Sequence, residues 1–578
     1  MKKVFKYVLK YKLLLFIPSF AMLLSIVADL INPYLQKIVV DDIITAGKVN
    51  LLLGVALALI GITAFRAIMG YTKEYLFDVL SAKINIDIKQ DLFDHIQKLS
   101  FSYFDSMNTG ELMSRINEDV EIIWRTISFG LRLFVENIIY FVISSFIMFY
   151  LDWRLALACI VIMIPIAYIA IKFEKRIDDS YGKISDQAVV INTTAQENVA
   201  GVRLVKAFAR EKYEIKKFLG MNNKNYELNM EQSEIMGSHL PKIEFLTNVS
   251  LVIMIVLGGI EIINGRMTVG TLLAFSSYLN NLIWPMRNLG WLTNLLAQNS
   301  ASSKRIFAIM DKEPEIHSKL TAKKPQSFKG HIVFNNVTFK YNEEVVLENI
   351  DLDIKPGSTT AIMGTTGSGK SSIINLIGRY YDVLAGNISI DGIDVKDFDL
   401  NALRSNMAIV PQDTFLFSDS IKENIQMGNR AASMEQITKA CESACAMEFI
   451  NDLEDGFETL IGERGIGLSG GQKQRLSIAR ALVRDAGILI LDDATSALDM
   501  ETEYELLNNL KNIEKARTTF IIAHRISAVK NADLIVYVEN GRIVEKGTHD
   551  ELLALKGKYY EIYCDQFKDF EDLESEVV

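Results

Sequence analysis

The sequence predicts an all-α transmembrane domain of six helices, followed by a soluble α/β domain built around a phosphate-binding turn. Three observations carry that prediction. Six runs with little or no charge all fall before residue 292. Beyond about residue 326, short β-like runs such as His331–Phe339 and Thr359–Met363 alternate with helical stretches. The composition is mixed in the same sense: 49% of residues are hydrophobic and 23% charged, too apolar for an ordinary soluble enzyme and too charged for a chain lying wholly in lipid.

The six runs are approximately Leu13–Ile31, Leu51–Gly70, Leu133–Leu151, Leu155–Ile171, Phe245–Ile263 and Thr271–Met286. A hydrocarbon core takes about 20 helical residues, so each is long enough to span or nearly so. The sixth is the most polar, because of Ser276, Ser277, Asn280 and Asn281, and an interfacial helix is its alternative reading. The opening Met1–Phe16 has the look of a signal peptide. Its apolar run continues to about Val27 without a small-residue cleavage site, which reads as a retained anchor.

Connections set the topology. Helices three and four are joined by almost nothing around Leu151–Arg154, and five and six by the short Asn264–Gly270 turn. Long charged connections with helical composition lie between two and three and between four and five. Lys2, Lys3, Lys6, Lys10 and Lys12 mark the amino terminus as cytoplasmic, so the long connections and both termini are expected inside. Asp29, Arg66, Glu136 and Glu261 lie within the apolar runs. Such charges face a cavity, a partner or an interface. Asp29 and Glu136 either attract a cationic substrate or pair with Arg66 or Arg132. The polar and aromatic residues of helix six, Ser276, Ser277, Tyr278, Asn280, Asn281, Trp284 and Trp291, suit either a cavity wall or close helix packing.

Net charge is −10, which argues against nucleic-acid binding, since that needs a basic face to displace counterions. Cys441 and Cys445 sit four apart in a helical stretch without a nearby histidine, the spacing of a packed helix face rather than a metal site. Pro314 and Pro325 punctuate a polar connector. The expected divisions are a membrane domain over 1–311, a linker over 312–328, a soluble domain over 329–570 and an acidic tail over 571–578.

The strongest motif is the run Gly364, Thr365, Thr366, Gly367, Ser368, Gly369, Lys370, Ser371, with Ser372 behind it. It follows the apolar strand Thr360–Met363 and opens a helix. Glycines let backbone N–H groups turn toward phosphate oxygens, and the helix terminus adds favourable partial charge. Lys370 is placed to reach the β- and γ-phosphates and Ser371 to ligate Mg²⁺. Downstream, the apolar run from Gly487 ends in Asp492, the expected second holder of Mg²⁺. ATP and Mg²⁺ are therefore the expected ligands of a P-loop ATPase.

Leu468, Ser469, Gly470, Gly471 and Gln472, followed by Lys-Gln-Arg, resemble the signature of the ABC transporter family. The resemblance implies an ABC nucleotide-binding domain and assigns further residues. Tyr341 matches the aromatic residue that stacks on adenine, and Gln412 the loop contacting Mg²⁺ and the membrane domain. Ser496–Asp499 matches the loop that crosses to a partner cassette, and His524 the switch histidine near the γ-phosphate. Glu463–Gly465 resembles the cross-domain segment of exporters. Phe101–Asn117 and Glu197–Phe208 look like the two cytoplasmic coupling loops, whose short helices dock on cassettes in such exporters. The family mechanism implied is alternating access driven by two ATP molecules sandwiched between two cassettes. A bacterial inner membrane is the expected setting.

One position departs from the pattern. Most family members carry Glu directly after the Mg²⁺-holding Asp, as the base that polarises water; here it is Asp493. The carboxylate is kept but is one methylene shorter, and about 1 Å of misplacement costs on the order of a hundredfold in rate. An Asp with an intact signature resembles one half of a heterodimeric exporter of an amphipathic drug, lipid or peptide. The alternatives are a homodimer in which Asp493 works as the base, and an ATP-gated regulator or channel.

Overall fold

The computed structural model describes residues 2–462, 465, 467–511 and 517–566. The chain divides into two compact units, Met1–Lys98 with Met107–Glu313, and Leu99–Ser106 with Pro314–Val578. Glu463, Arg464 and the acidic tail lie outside the described residues.

The first unit is helical. Lys12–Thr45, Val49–Ile96, Thr109–Leu151, Trp153–Ala200 and Glu211–Ile263 are long and apolar enough to cross a membrane. A sixth long helix, Val269–Met310, is less apolar because of its serines and asparagines. It packs as an interior helix: Phe275, Leu279 and Leu282 are fully buried, and the buried Tyr278 hydroxyl donates to the Leu30 carbonyl at 2.8 Å. Two of its polar groups thus find partners within the unit, as a lipid environment favours: Tyr278, and Ser277, whose Oγ donates to Gln36 Oε1 at 3.3 Å.

Local chemistry explains the two short connections. Asp152 accepts hydrogen bonds from the N–H groups of Arg154 and Leu155, both 2.9 Å, and so starts one helix where the previous one stops. Thr268 caps the sixth helix by accepting from Thr271 N–H at 3.1 Å. The longest helix, Glu211–Ile263, has 53 residues. At ~1.5 Å per residue that is about 80 Å, against a hydrocarbon core of roughly 30 Å, so much of it runs beyond the bilayer.

The ionisable residues of the spans are paired. Asp29 bonds Arg66 and accepts from the Tyr140 hydroxyl at 3.0 Å. Glu136 pairs with buried Lys73 at 2.7 Å, whereas Arg132 pairs with Glu74. Pairing with Arg66 is as the sequence allowed; Lys73, not Arg132, takes Glu136. Arg266 lies 3.5 Å from Glu261.

In the second unit, β1 (Ile332–Tyr341), β2 (Glu344–Ile354), β4 (Ala385–Ile390) and β5 (Ile393–Asp394) form an antiparallel sheet ordered β2-β1-β4-β5. The larger sheet is ordered β10-β9-β3-β8-β7-β6. It comprises β3 (Thr359–Gly364), β6 (Met407–Val410), β7 (Ile488–Asp492), β8 (Thr518–Ile522), β9 (Leu534–Glu539) and β10 (Arg542–Gly547). All its pairings are parallel except β9 with β10.

The middles of the parallel strands are nearly continuous apolar runs because both faces are covered. Ala361, Met363, Leu489 and Leu491 enter one core, and Ile362, Ile488 and Ile490 the other. The connector after Pro314 lies against this unit: Lys323 N–H donates to Asp397 C=O at 2.8 Å, and Phe328 joins the second core.

Leu99–Ser106 belongs to this unit too. The helical turn Phe101–Ser106 sets the Phe101 ring 4.7 Å from that of Tyr380. Ser100 Oγ accepts from Ile316 N–H at 3.0 Å.

Candidate functional site

The site lies at the carboxyl ends of four adjacent strands. The phosphate turn leaves β3, the segment with His524 leaves β8, Asp492 ends β7, and Gln412 follows β6. In open α/β sheets this edge is where ligands bind, because strands and helix amino termini converge there.

Backbone shape dictates the glycines of the turn. Gly364 has φ +147°, and a Cβ there would stand 2.0 Å from the Val538 carbonyl oxygen. Gly369 has φ +98°, and a Cβ would meet Leu347 at 2.6 Å. Helix Lys370–Ile377 starts directly after it with no side-chain cap, so its first N–H groups are free for an anion.

A cavity of about 340 Å³ opens over this turn. Tyr341, Val346, Lys370, Ser371, Gln412, Asp492, Asp493 and His524 all line it. The structure therefore brings together the aromatic residue, the phosphate turn, both aspartates, Gln412 and His524. Lys370 folds back, its Nζ donating to the carbonyls of Gly364 at 3.0 Å and Thr365 at 2.7 Å. Burial pushes the Lys370 pKa down, while Asp492 and Asp493 pull it up. Burial pushes the Asp492 pKa up, against a hydrogen bond from Ser371 that lowers it. Ser372 Oγ donates to the Tyr341 hydroxyl at 3.4 Å.

The donor set fits nucleotide and Mg²⁺. Ser368 Oγ is buried without a partner inside the turn, and a buried polar atom left open is costly unless a ligand satisfies it. Among the described residues no group of three His, Cys, Asp or Glu is arranged to hold a metal ion by itself. One hydroxyl, one carboxylate and one amide suit Mg²⁺, which is held by few protein groups together with phosphates and water.

Ser469, Gly470, Gly471 and Gln472 stand apart, and none lines this cavity. Ser469 caps helix Gly470–Leu482 in a reciprocal box: its Oγ accepts from Gln472 N–H at 3.3 Å, and Gln472 Oε1 accepts from Ser469 N–H at 2.8 Å. Ser469 and Gly470 are exposed, so this helix amino terminus faces outward.

Sequence reasoning missed Gln474. Its Nε2 donates to Ser496 Oγ at 3.1 Å, and its Oε1 accepts from Ala497 N–H at 3.0 Å. The same Nε2 lies 3.4 Å from the Asp493 carbonyl. Gln474 thereby ties the signature helix to the loop Ser496–Asp499 and to the backbone of the residue after Asp492. Its place two residues past the signature was the only available signal. Asp493 itself has φ +49°, a left-handed conformation that Asp tolerates better than most residues.

A membrane-spanning helical unit joined to a phosphate-binding α/β unit with a second, separately displayed helix terminus defines an ATP-driven transporter. The comparisons place it: the family model for the ABC transporter transmembrane region matches residues 15–286 and that for the ABC transporter matches residues 347–496, and the chain belongs to the ABC transporter family. The ABC transporter ATP-binding protein YknU of Bacillus subtilis is 38% identical, across 95% of this chain and 94% of its own. The ATP-dependent lipid A-core flippase of Desulfotalea psychrophila is also 38% identical, across 97% and 98%. The structure of a bacterial Atm1-family ABC exporter with ATP bound superposes with a TM-score of 0.83 at 28% identity, covering 96% of this chain and 98% of that one. The chain is thus an integral membrane protein of the ABC exporter family that couples ATP to transport.

Proposed function

We propose that this chain is one half of a heterodimeric exporter and carries the weaker of its two ATP sites. The observation that supports this is Asp493 beside Asp492 in the phosphate cavity, together with an intact signature at Ser469–Gln472, of which Ser469 and Gly470 are exposed. A short carboxylate reaches less far toward a water at the γ-phosphate, so hydrolysis slows while binding is kept. The partner supplies a Glu at the matching position, and this chain's signature completes the partner's site.

In this reading Tyr341 stacks on adenine, Lys370 and the turn Gly364–Gly369 hold the phosphates, and Ser371, Gln412 and Asp492 hold Mg²⁺. Mg²⁺, when bound, neutralises charge on the β- and γ-phosphates. Asp493 orients the attacking water slowly, and His524 contacts the γ-phosphate. The ATP-binding unit faces the cytoplasm of a bacterial inner membrane. ATP favours closed cassettes because it binds that state more tightly than the open one. The substrate class is an amphipathic molecule such as a drug, lipid or peptide.

The test is ATP turnover by this chain purified alone in lipid. Slow turnover with intact ATP binding, raised by adding a second half-transporter, is the expected result. Brisk, saturable turnover alone makes Asp493 a competent base and the homodimer the correct reading.

A further inference from the structure

Helix Ile526–Val529 begins two residues after His524, and its cap residue, Arg525, makes no side-chain capping bond. An uncapped first turn leaves backbone N–H groups without partners. Here the missing acceptor comes from 40 residues downstream: Gln566 Oε1 accepts from Ile526 N–H at 2.8 Å. The Nε2 of the same carboxamide donates to the His524 carbonyl at 2.8 Å. One side chain therefore holds the backbone on both sides of Arg525 and restrains the peptide that aims the His524 ring into the phosphate cavity.

The helix bearing Gln566, residues 558–566, is itself fixed. Its first N–H groups, on Lys558 and Tyr559, donate to the two oxygens of Glu545 on β10 at 2.5 and 3.1 Å. Tyr559 is fully buried, with its hydroxyl 2.7 Å from His549 Nδ1. The segment held by Gln566 also reaches the loop that follows Asp493: Arg525 Nη1 lies 3.4 Å from the Leu498 carbonyl and 3.6 Å from buried Glu503.

We propose that Gln566 is a positioning residue for His524, through which the carboxy-terminal helix sets how strongly the ATP site responds to the γ-phosphate. This rests on the reading of His524 as the γ-phosphate contact. No other side chain bridges His524 C=O and Ile526 N–H among the described residues.

The experiment uses the full-length chain in lipid nanodiscs. Affinities for Mg·AMP-PNP and Mg·ADP are measured by competition with a fluorescent nucleotide for wild type, His524→Ala, Gln566→Leu, Gln566→Glu and the His524→Ala/Gln566→Leu double variant. Gln566→Leu is expected to lower the preference for AMP-PNP over ADP by about three- to tenfold, the worth of one or two hydrogen bonds. ADP affinity is expected to stay within about twofold, as a γ-phosphate effect requires. The double variant is expected to lose no more than His524→Ala alone, because one residue acts through the other. Gln566→Glu keeps the acceptor for Ile526 N–H but not the donor, and should fall between. An unchanged preference in Gln566→Leu while His524→Ala loses it, an equal fall in both affinities, or multiplied losses in the double variant each overturn the proposal. An unchanged preference in His524→Ala removes the γ-phosphate reading of that histidine, and the proposal falls with it.

Discussion

The Tyr381 hydroxyl donates to the Asp105 carboxylate at 2.7 Å, and so ties the helical turn Phe101–Ser106 to the ATP-binding unit. Burial and the neighbouring Asp105 both push the Tyr381 pKa up, so the phenol remains a donor at every physiological pH. The Phe101 ring packs on Tyr380 beside it. This is where the sequence placed the first coupling loop.

Tyr381→Phe removes one hydrogen bond to a charged acceptor in a partly exposed place, worth about 1 kcal/mol. ATP binding should be unchanged. The ATP-driven shift of the membrane helices, read by spin labels on the turn between residues 264 and 270, should weaken roughly fivefold. Asp105→Asn should behave alike, and the double variant no worse than either single one. Equal loss of ATP binding would show that the contact supports folding instead of coupling.

Asp492 carries a cost in the apo protein. It is buried, and its pKa is raised above the ordinary carboxylate value chiefly by that burial. A raised folded-state pKa contributes stability below the unfolded value and loses it as pH rises through the folded one. At neutral pH the ionised group therefore destabilises the nucleotide-free chain. Asp492→Asn should raise the apparent melting temperature without nucleotide by about 2–4 °C at pH 7, on the order of 1 kcal/mol. The gain should shrink as pH falls toward the carboxylate range, and Mg²⁺-dependent ATP affinity should drop sharply. A melting temperature unchanged at pH 7 would refute the electrostatic account.

The phosphate turn allows a backbone prediction as well. A methyl group at position 364 would sit 2.0 Å from the Val538 carbonyl oxygen, at a φ of +147°. Gly364→Ala should lose about 3 kcal/mol or more of ATP-binding-unit stability. Gly367→Ala, with nothing within 4 Å of its Cβ, meets only the strain of its +80° φ, about 1 kcal/mol. Thermal melts of the two variants side by side rank the two effects, and equal losses would contradict the steric argument.

The nucleotide site was legible because its parts are local. Strand, glycine turn and helix follow one another from Thr359 to Ile377, and Asp492 ends an apolar strand. What stayed hidden depends on distance along the chain. Gln474 meets Ser496, Tyr381 meets Asp105 and Gln566 meets His524 across 22, 276 and 42 positions, where no spacing rule applies. Lys73, the partner of Glu136, was not among the partners the sequence offered, for a related reason. Arg132 lies one turn away on the same helix, but the facing helix brings Lys73 to the carboxylate. The sixth span looked marginal because Ser276, Ser277, Asn280 and Asn281 lower its hydropathy, which does not register that Phe275, Leu279 and Leu282 are buried within the unit or that Tyr278 bonds the Leu30 carbonyl.

Asp493→Glu sets two effects against each other. Lengthening the side chain by one methylene restores the reach that positions water, a gain on the order of a hundredfold where geometry alone limits the rate. The residue sits at φ +49°, however, where Asp is tolerated better than Glu, and the strain there costs about 1 kcal/mol or less. About 1 kcal/mol is a factor of roughly five, so the gain should win, leaving turnover raised by tenfold or more wherever a complete composite site is present. In the chain alone, a rise of that size means that two copies already complete the site and that Asp493 limited it. If the chain alone stays inactive as Asp493→Glu while still binding ATP, the missing element is the partner's own contribution, and adding a second half-transporter should then restore turnover.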